Sequence, residues 1–420
     1  MNTSVDTGDL EGDGPANRVA NMRLVNVGSN YRVAGGADRY ALGLEALLEK
    51  HGHRVLPFAA RHPENREAET SGYFPPGVAP DAPSPADVAR FVYSRRAREQ
   101  MARLVSEHDP DLAHLHVYYG QLTASILRPL REAGVPTVQT LHDFKLGCPV
   151  RIFVSRGEVC EACGGEHFWR ALPRRCNRGS FLRTAVSVLE SYVSRALGDD
   201  EVDHFVAPSR FLRDKMVEHE IVDPAAVTVL PNFVDADRFL PGEGIGDHFV
   251  YFGRLRSVKG VGTLIEAAAP LEEHDLYIVG SGPEREEFER TVERRGLDHV
   301  HFLGYRDGEA LHEVVRNARA SIVPSELYEN CPMTVLESMA LATPVLGSEI
   351  GGIPELVRDG EDGFLVPPAD PEALREKMAW MAENSRRAVE MGVAGRDKVE
   401  RRHGPERHYE GLLDIYRRVL

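Results

Sequence analysis

A chain of 420 residues is longer than one hydrophobic core usually organises, so two domains are expected. The net charge of −15 argues against a nucleic-acid binder, which needs cations for phosphates, and no apolar run is long enough to span a membrane. Five cysteines without an apolar signal segment point to a reducing compartment, hence the cytoplasm.

The acidic, Gly-rich stretch 1–21 is expected to be a disordered leader. From Arg23 onward short apolar runs alternate with helical spacing, the pattern of a parallel sheet with covering helices. Residues 23–27 form the first predicted strand. A helix follows, in which Ala37, Ala41, Leu44, Leu47 and Leu48 share one face until Gly52 stops it. Residues 53–58 make the next strand, 63–85 a long loop, 88–108 one helix, and 112–116 and 137–141 buried strands. The Pro-, Gly- and Asp-rich connection 231–247 is the expected interdomain linker. A second run of units starts near His248, with strands at 249–252, 276–279, 301–303, 320–323 and 344–347. The fold class is therefore α/β, with two doubly wound domains facing a cleft.

Four features of the second half suit a nucleoside diphosphate. Gly253 to Gly260 follows a strand and carries Arg254 and Lys259, two cations able to reach one diphosphate. Gly280-Ser281-Gly282-Pro283 is a Gly-rich strand-to-helix turn at a position where open sheets bind ligands, although a tight turn would need the same residues. Phe302 to Tyr305 is another strand end, whose backbone could read a base edge or simply turn. In Ser325 to Glu337 two glutamates, Glu329 and Glu337, stand seven residues apart. Pro332 suits a first helical turn, so Met333, Thr334 and Val335 would present free N–H groups to a phosphate. Glu337 lies among apolar neighbours, where a carboxylate needs a partner such as ribose hydroxyls.

These motifs resemble those of the retaining GT-B glycosyltransferases of glycosyltransferase family 4. The Glu, seven residues, Glu signature falls on Glu329 and Glu337, the diphosphate-binding pair on Arg254 and Lys259, and the Gly-Gly loop on Gly35 and Gly36. The interdomain motif falls on Pro231-Asn232-Phe233-Val234-Asp235, with Phe233 where the family has Gly, and Gly351 to Glu355 and Asp359 to Phe364 also match. The resemblance covers about residues 23–418. It implies two Rossmann-like GT-B domains: an acceptor-binding domain at 22–230 with an insertion at 145–180, the linker 231–247, a nucleotide-sugar domain at 248–404, and a last helix, 405–420, crossing back to the first domain.

It also implies transfer of a hexose-type sugar from a nucleotide-diphosphate sugar to a glycan or lipid-linked acceptor, with retention and no catalytic metal, in cell-surface polysaccharide or glycoconjugate synthesis. His142, Glu329, Arg254 and Lys259 would be catalytic. Gly35, Gly36, Asn232, Gly282, Tyr305, Met333, Thr334, Val335 and Glu337 would bind the donor. A catalytically idle nucleotide-sugar or partner-binding protein on the same fold is the alternative. Asp109-Pro110-Asp111 and Asp235-Ala236-Asp237 copy an Asp-x-Asp metal motif, but the first caps a helix and the second belongs to the linker. His114 and His116 alternate along a strand and are expected in the core.

Cys148, Cys160, Cys163 and Cys176 fall in one Gly- and charge-rich segment, spaced as a CxxC with two outlying cysteines. A structural zinc is the leading reading, with an Fe–S cluster and unligated thiols as alternatives. A similar four-cysteine insertion occurs in a subgroup of the family. From Lys145 to Arg195 nine basic residues meet four acidic ones. The stretch 170–197 is therefore a candidate for peripheral contact with the inner face of an anionic membrane, a solvated basic face being the alternative.

Overall fold

The computed structural model describes residues 21–78, 84–242 and 246–420. The leader expected at 1–21 falls almost wholly outside the described residues. The first half holds β1 (Arg23–Val27), β2 (Arg54–Phe58), β3 (Leu112–Leu115), β4 (Thr137–Thr140), the short hairpin β5 (Val154–Ser155) and β6 (Glu158–Val159), then β7 (His204–Ala207) and β8 (Val227–Val229). The second holds β9 (His248–Phe252), β10 (Leu276–Val279), β11 (Val300–Gly304), β12 (Ala318–Val323), β13 (Val345–Ser348) and β14 (Gly363–Val366).

Each half forms a six-stranded, wholly parallel sheet, ordered β2-β1-β3-β4-β7-β8 and β11-β10-β9-β12-β13-β14. The near-continuous burial of β3, β4, β7 and β12 is what a sheet covered on both faces requires. In both sheets the winding reverses beside the first strand, at β1/β3 and β9/β12, so the loops leaving β1 and β9 open at a topological switch point. Each sheet has its own apolar core, one around Phe58, Leu104 and Phe205, the other around Phe249, Ile265 and Ile278.

The helix Gly36–Lys50 buries Ala41, Leu44, Leu47 and Leu48 of the predicted stripe together with Tyr40, Ala37 stays half-buried, and Gly52 ends the helix at φ +86°. The single helix expected over 88–108 is two, Pro85–Val92 and Arg95–His108. Tyr93 and Ser94 between them are extended, and Ser94 spends its hydroxyl on the Ala97 N–H as an N-cap, a bond a continuous helix could not use.

The terminal helix Pro405–Val419 buries Leu412, Ile415 and Tyr416 in one cluster with Met22, Leu24, Leu44 and Val206 of the first sheet's domain. Its approach is stapled to the linker: His408 Nδ1 donates to the Pro231 carbonyl at 2.9 Å, and Val234 N–H to the His403 carbonyl at 2.9 Å. Phe233 occupies no part of the cleft. It is buried against Tyr40 and His408, over the Cβ-free face of Gly43.

Candidate functional site

The loop after β9 is shaped by its neighbour. Leu255 N–H donates to Ser281 O at 2.9 Å, and a Cβ on Gly282 would lie 2.1 Å from the Leu255 carbonyl oxygen. Gly282 is thus glycine because two loops touch there, and that contact positions the segment bearing Arg254. The Arg254 side chain is exposed, whereas Lys259 Nζ lies 2.5 Å from Glu329 Oε1. Ser325 Oγ donates to the same carboxylate oxygen at 2.5 Å. The Glu329 carbonyl accepts from Gly352 N–H at 2.6 Å, so the Gly351-Gly352 turn seats the acidic loop.

Glu337 is buried one turn inside the helix Met333–Ala340, and its partner is Arg39, which reaches from the first helix of the opposite domain to 2.9 Å. Burial pushes the Glu337 carboxyl up, and the Arg39 guanidinium pulls it back. The two helix starts meet: a Cβ on Gly36 would stand 3.9 Å from Met333 Cγ. Neither start has a side-chain cap. Of the three amides expected to be free, Val335 N–H already donates to Pro332 O, which leaves Met333 and Thr334. The Gly36 and Met333 helix starts thus meet from two domains, with Lys259 held on Glu329 of the loop that leads into the second, and the sum suits a group carrying negative charge.

His142, at the carboxyl end of β4, lies across from this loop, its carbonyl accepting from Asn330 Nδ2 at 2.8 Å. Asn26 Nδ2 donates to Ala41 O, which turns its Oδ1 to His116 Nε2 at 2.8 Å. His116 Nε2 then carries the proton, and His116 Nδ1 accepts from His142 Nε2 at 3.1 Å. This chain leaves His142 Nδ1 as an acceptor. Burial pushes the His142 imidazole down to about 3, so the ring is neutral at physiological pH. His114 and His116 are buried and stacked, with His114 held by Tyr416 and Thr140.

Comparison with known proteins places these features. Residues 34–238 match the family described as Glycosyltransferase Family 4, and residues 245–398 match Glycosyl transferases group 1, so together the two take in most of the chain. The chain is a GT-B glycosyltransferase. An uncharacterized glycosyltransferase of Methanocaldococcus jannaschii is 25% identical over 369 residues, 86% of this chain and 87% of that one. The sucrose-phosphate synthase of Thermosynechococcus elongatus superposes with a TM-score of 0.73 at 20% identity, over 94% of this chain and 98% of that one. The Anabaena protein HepE, in complex with UDP and glucose, gives 0.64 at 17% identity, over 94% and 99%. At such identities the two structures speak for the fold.

Other residues singled out in the sequence of the glycosyltransferase have contacts of their own. Asn232 is buried, and its Nδ2 donates to the Cys331 carbonyl at 3.0 Å, so its side chain ties the linker to the acidic loop. Tyr305 is largely exposed beside Asp307. Asp109 and Asp111 both face Arg23, and Asp109 closes the Arg95–His108 helix in the left-handed region at φ +46°. The linker copy fares the same way, with Asp235 preceding a single 3-10 turn at Ala236–Arg238.

The four cysteines are free thiols gathered in one corner. Cys163 packs with Phe168, Ala171 and Val188, and burial, with the neighbouring Cys148, Cys176 and Cys160, pushes its thiol up to about 12. Among the described residues, however, no three metal-ligating side chains are arranged to hold a metal ion. The zinc expected on Cys148, Cys160, Cys163 and Cys176 gains no support from this arrangement, in which Cys163 Sγ lies 3.9 Å from the Phe168 carbonyl and Cys176 Sγ 3.7 Å from Ser155 Oγ.

Arg39, Ser325 and Asn330 belong to the site and were not picked out by the motifs. Ser325 stands four residues before Glu329, a spacing that offered a signal. Arg39 and Asn330 act through partners 298 and 188 positions away, which no local pattern carries.

Proposed function

We propose that this glycosyltransferase moves a hexose-type sugar from a nucleotide-diphosphate sugar to an acceptor hydroxyl, with retention and without a catalytic metal, in cell-surface glycoconjugate synthesis on the cytoplasmic side. The observation that carries the reading is the meeting of the two helix starts at Gly36 and Met333, with Lys259 on the adjoining acidic loop, and Arg254 would complete the set on the donor diphosphate. The glycosidic bond breaks with its electron pair going to the phosphate oxygen, and this is where negative charge grows. Cations and N–H groups fixed before the reaction stabilise that charge without reorganising. The Lys259–Glu329 pair keeps the ammonium in place, and Glu329 can accept a sugar hydroxyl. His142, neutral, offers hydrogen bonding to the sugar without adding a charge.

The test is release of free nucleoside diphosphate from a panel of UDP-, GDP- and ADP-sugars without acceptor, UDP-glucose first because the HepE complexes contain UDP and glucose. One donor should be slowly hydrolysed, and Arg254→Ala and Glu329→Ala should each lower that rate by about a hundred- to a thousandfold. Binding without hydrolysis, even when acceptor glycans are supplied, would instead favour an idle binder.

A further inference from the structure

The helix Phe181–Ala196 is turned inside out. Its buried residues are mostly polar: Thr184, Ser187, Glu190, Ser191 and Ser194, with Val188 the apolar exception. They are occupied, since Lys145 pairs with Glu190 and donates to Ser191 Oγ at 2.7 Å, while Asn177 bonds to Thr184 and Ser187. The outward face is apolar instead. Leu182 is 74% exposed, Phe181 57% and Leu189 53%, with Tyr192 one turn further and Trp169, 53% exposed, donating its backbone N–H to the Tyr192 hydroxyl. Leu182, Leu189 and Tyr192 follow helical spacing, so they form one stripe.

The charges around this stripe are mainly positive. Arg174, Arg175, Arg178 and Arg183 are exposed, and among the described residues none has an ion-pair partner. Most acids nearby are committed elsewhere, Glu161 to Lys215 and His219, Glu190 to Lys145, and Glu166, Asp199 and Asp200 to Arg195, while Glu158 on the hairpin is exposed. An apolar stripe with Trp and Tyr, edged by unpaired arginines, is complementary to an anionic lipid surface: side chains enter the acyl boundary, aromatic rings sit at the headgroups, and guanidinium groups meet phosphates. The chain's overall negative charge opposes this only weakly, because screening confines it to about 8–10 Å in physiological salt.

We infer that the outward face of the Phe181–Ala196 helix, with Trp169 and the arginines of 174–183, docks the protein on an anionic membrane. The insertion packed on this helix through Lys145 and Glu190 also contacts the acidic loop of the opposite domain, where Tyr328 donates to Glu161 Oε1 at 2.7 Å. The inference does not depend on the identity of the donor.

The experiment is flotation of the full chain with vesicles of phosphatidylcholine alone or of equal parts phosphatidylcholine and phosphatidylglycerol. The protein should float only with the anionic vesicles, and added salt should weaken binding. Leu182→Ser with Leu189→Ser should weaken it at least tenfold, and Arg174→Glu with Arg178→Glu by more than tenfold, at about fivefold per charge near the surface. The exposed positions make misfolding avoidable, and unchanged thermal unfolding and donor hydrolysis in both variants separate loss of docking from loss of the active site. Absence of binding to anionic vesicles at low salt would overturn the proposal, as would wild-type binding by the leucine variant. So would a dimer in ultracentrifugation that the leucine variant abolishes, since the face would then serve a second copy of the chain.

Discussion

Glu337 is a buried carboxylate whose charge rests on one guanidinium from the other domain. Arg39→Ala leaves it buried without its partner, so stability in urea should fall by about 1–3 kcal/mol, and Glu337→Gln in the same background should recover most of the loss. A donor ribose approaching Glu337 must share it with Arg39, which makes this pair part of the site as well as of the fold. The glycines divide differently. Gly282→Ala drives a Cβ into the Leu255 backbone, so it should lower both the melting temperature and donor hydrolysis by displacing Arg254. A Cβ on Gly36 meets Met333 only at ordinary contact distance, so Gly36→Ala should leave melting nearly unchanged while weakening donor binding in a calorimetric titration. Equal melting losses in the two variants would contradict this division.

Elements here are built from local signals and then bent by their neighbours. The 36–50 helix follows its apolar period and its stop glycine, whereas the expected 88–108 helix breaks because Ser94 can satisfy an N–H by capping. Phe233 shows the same contest in the linker. A large side chain stands here where the family has glycine, and it is buried between Tyr40, His408 and Gly43, closing the seam under the returning helix. Phe233→Ala should therefore cost about 3–5 kcal/mol in chemical denaturation, the usual range for a buried aromatic cavity. The inverted 181–196 helix is the strongest departure from a simple pattern, because its polar side is used by Lys145 and Asn177 within the protein.

The molecule as a whole carries a seam of buried neutral histidines. Burial holds His114 and His142 down at about 3 and His408 at about 4, with His116 well below its ordinary value. The unfolded chain takes up protons on these rings as pH falls below about 6.5, while the folded chain does not, so stability is complete above that pH and is lost toward pH 3–4. Each ring contributes up to about 1.4 kcal/mol per pH unit in that window. Urea unfolding at neutral pH and at about pH 5 should show a lower midpoint at the acid value, and equal midpoints would count against the seam. His408 and His114 bind the linker and the terminal helix, so the join between domains keeps its neutral rings and hydrogen bonds down to about pH 4 while the chain stays folded.

The architecture and the donor half of the site were readable from residue order, since strand runs, stop glycines and the Arg254–Lys259 and Glu329–Glu337 spacings are local and depend on backbone period and short loops. Arg39, Asn330 and the histidine chain became visible only once the chain was folded, because each is defined by a partner from another element, most of them far away in sequence. The cysteine segment marks the same boundary. Spacing brings four thiols into one corner, but whether they converge on a metal depends on side-chain directions set by surrounding packing. Residue order determines which groups are available to a site; the burial and distance that give them a charge state and a partner come from the assembled domains.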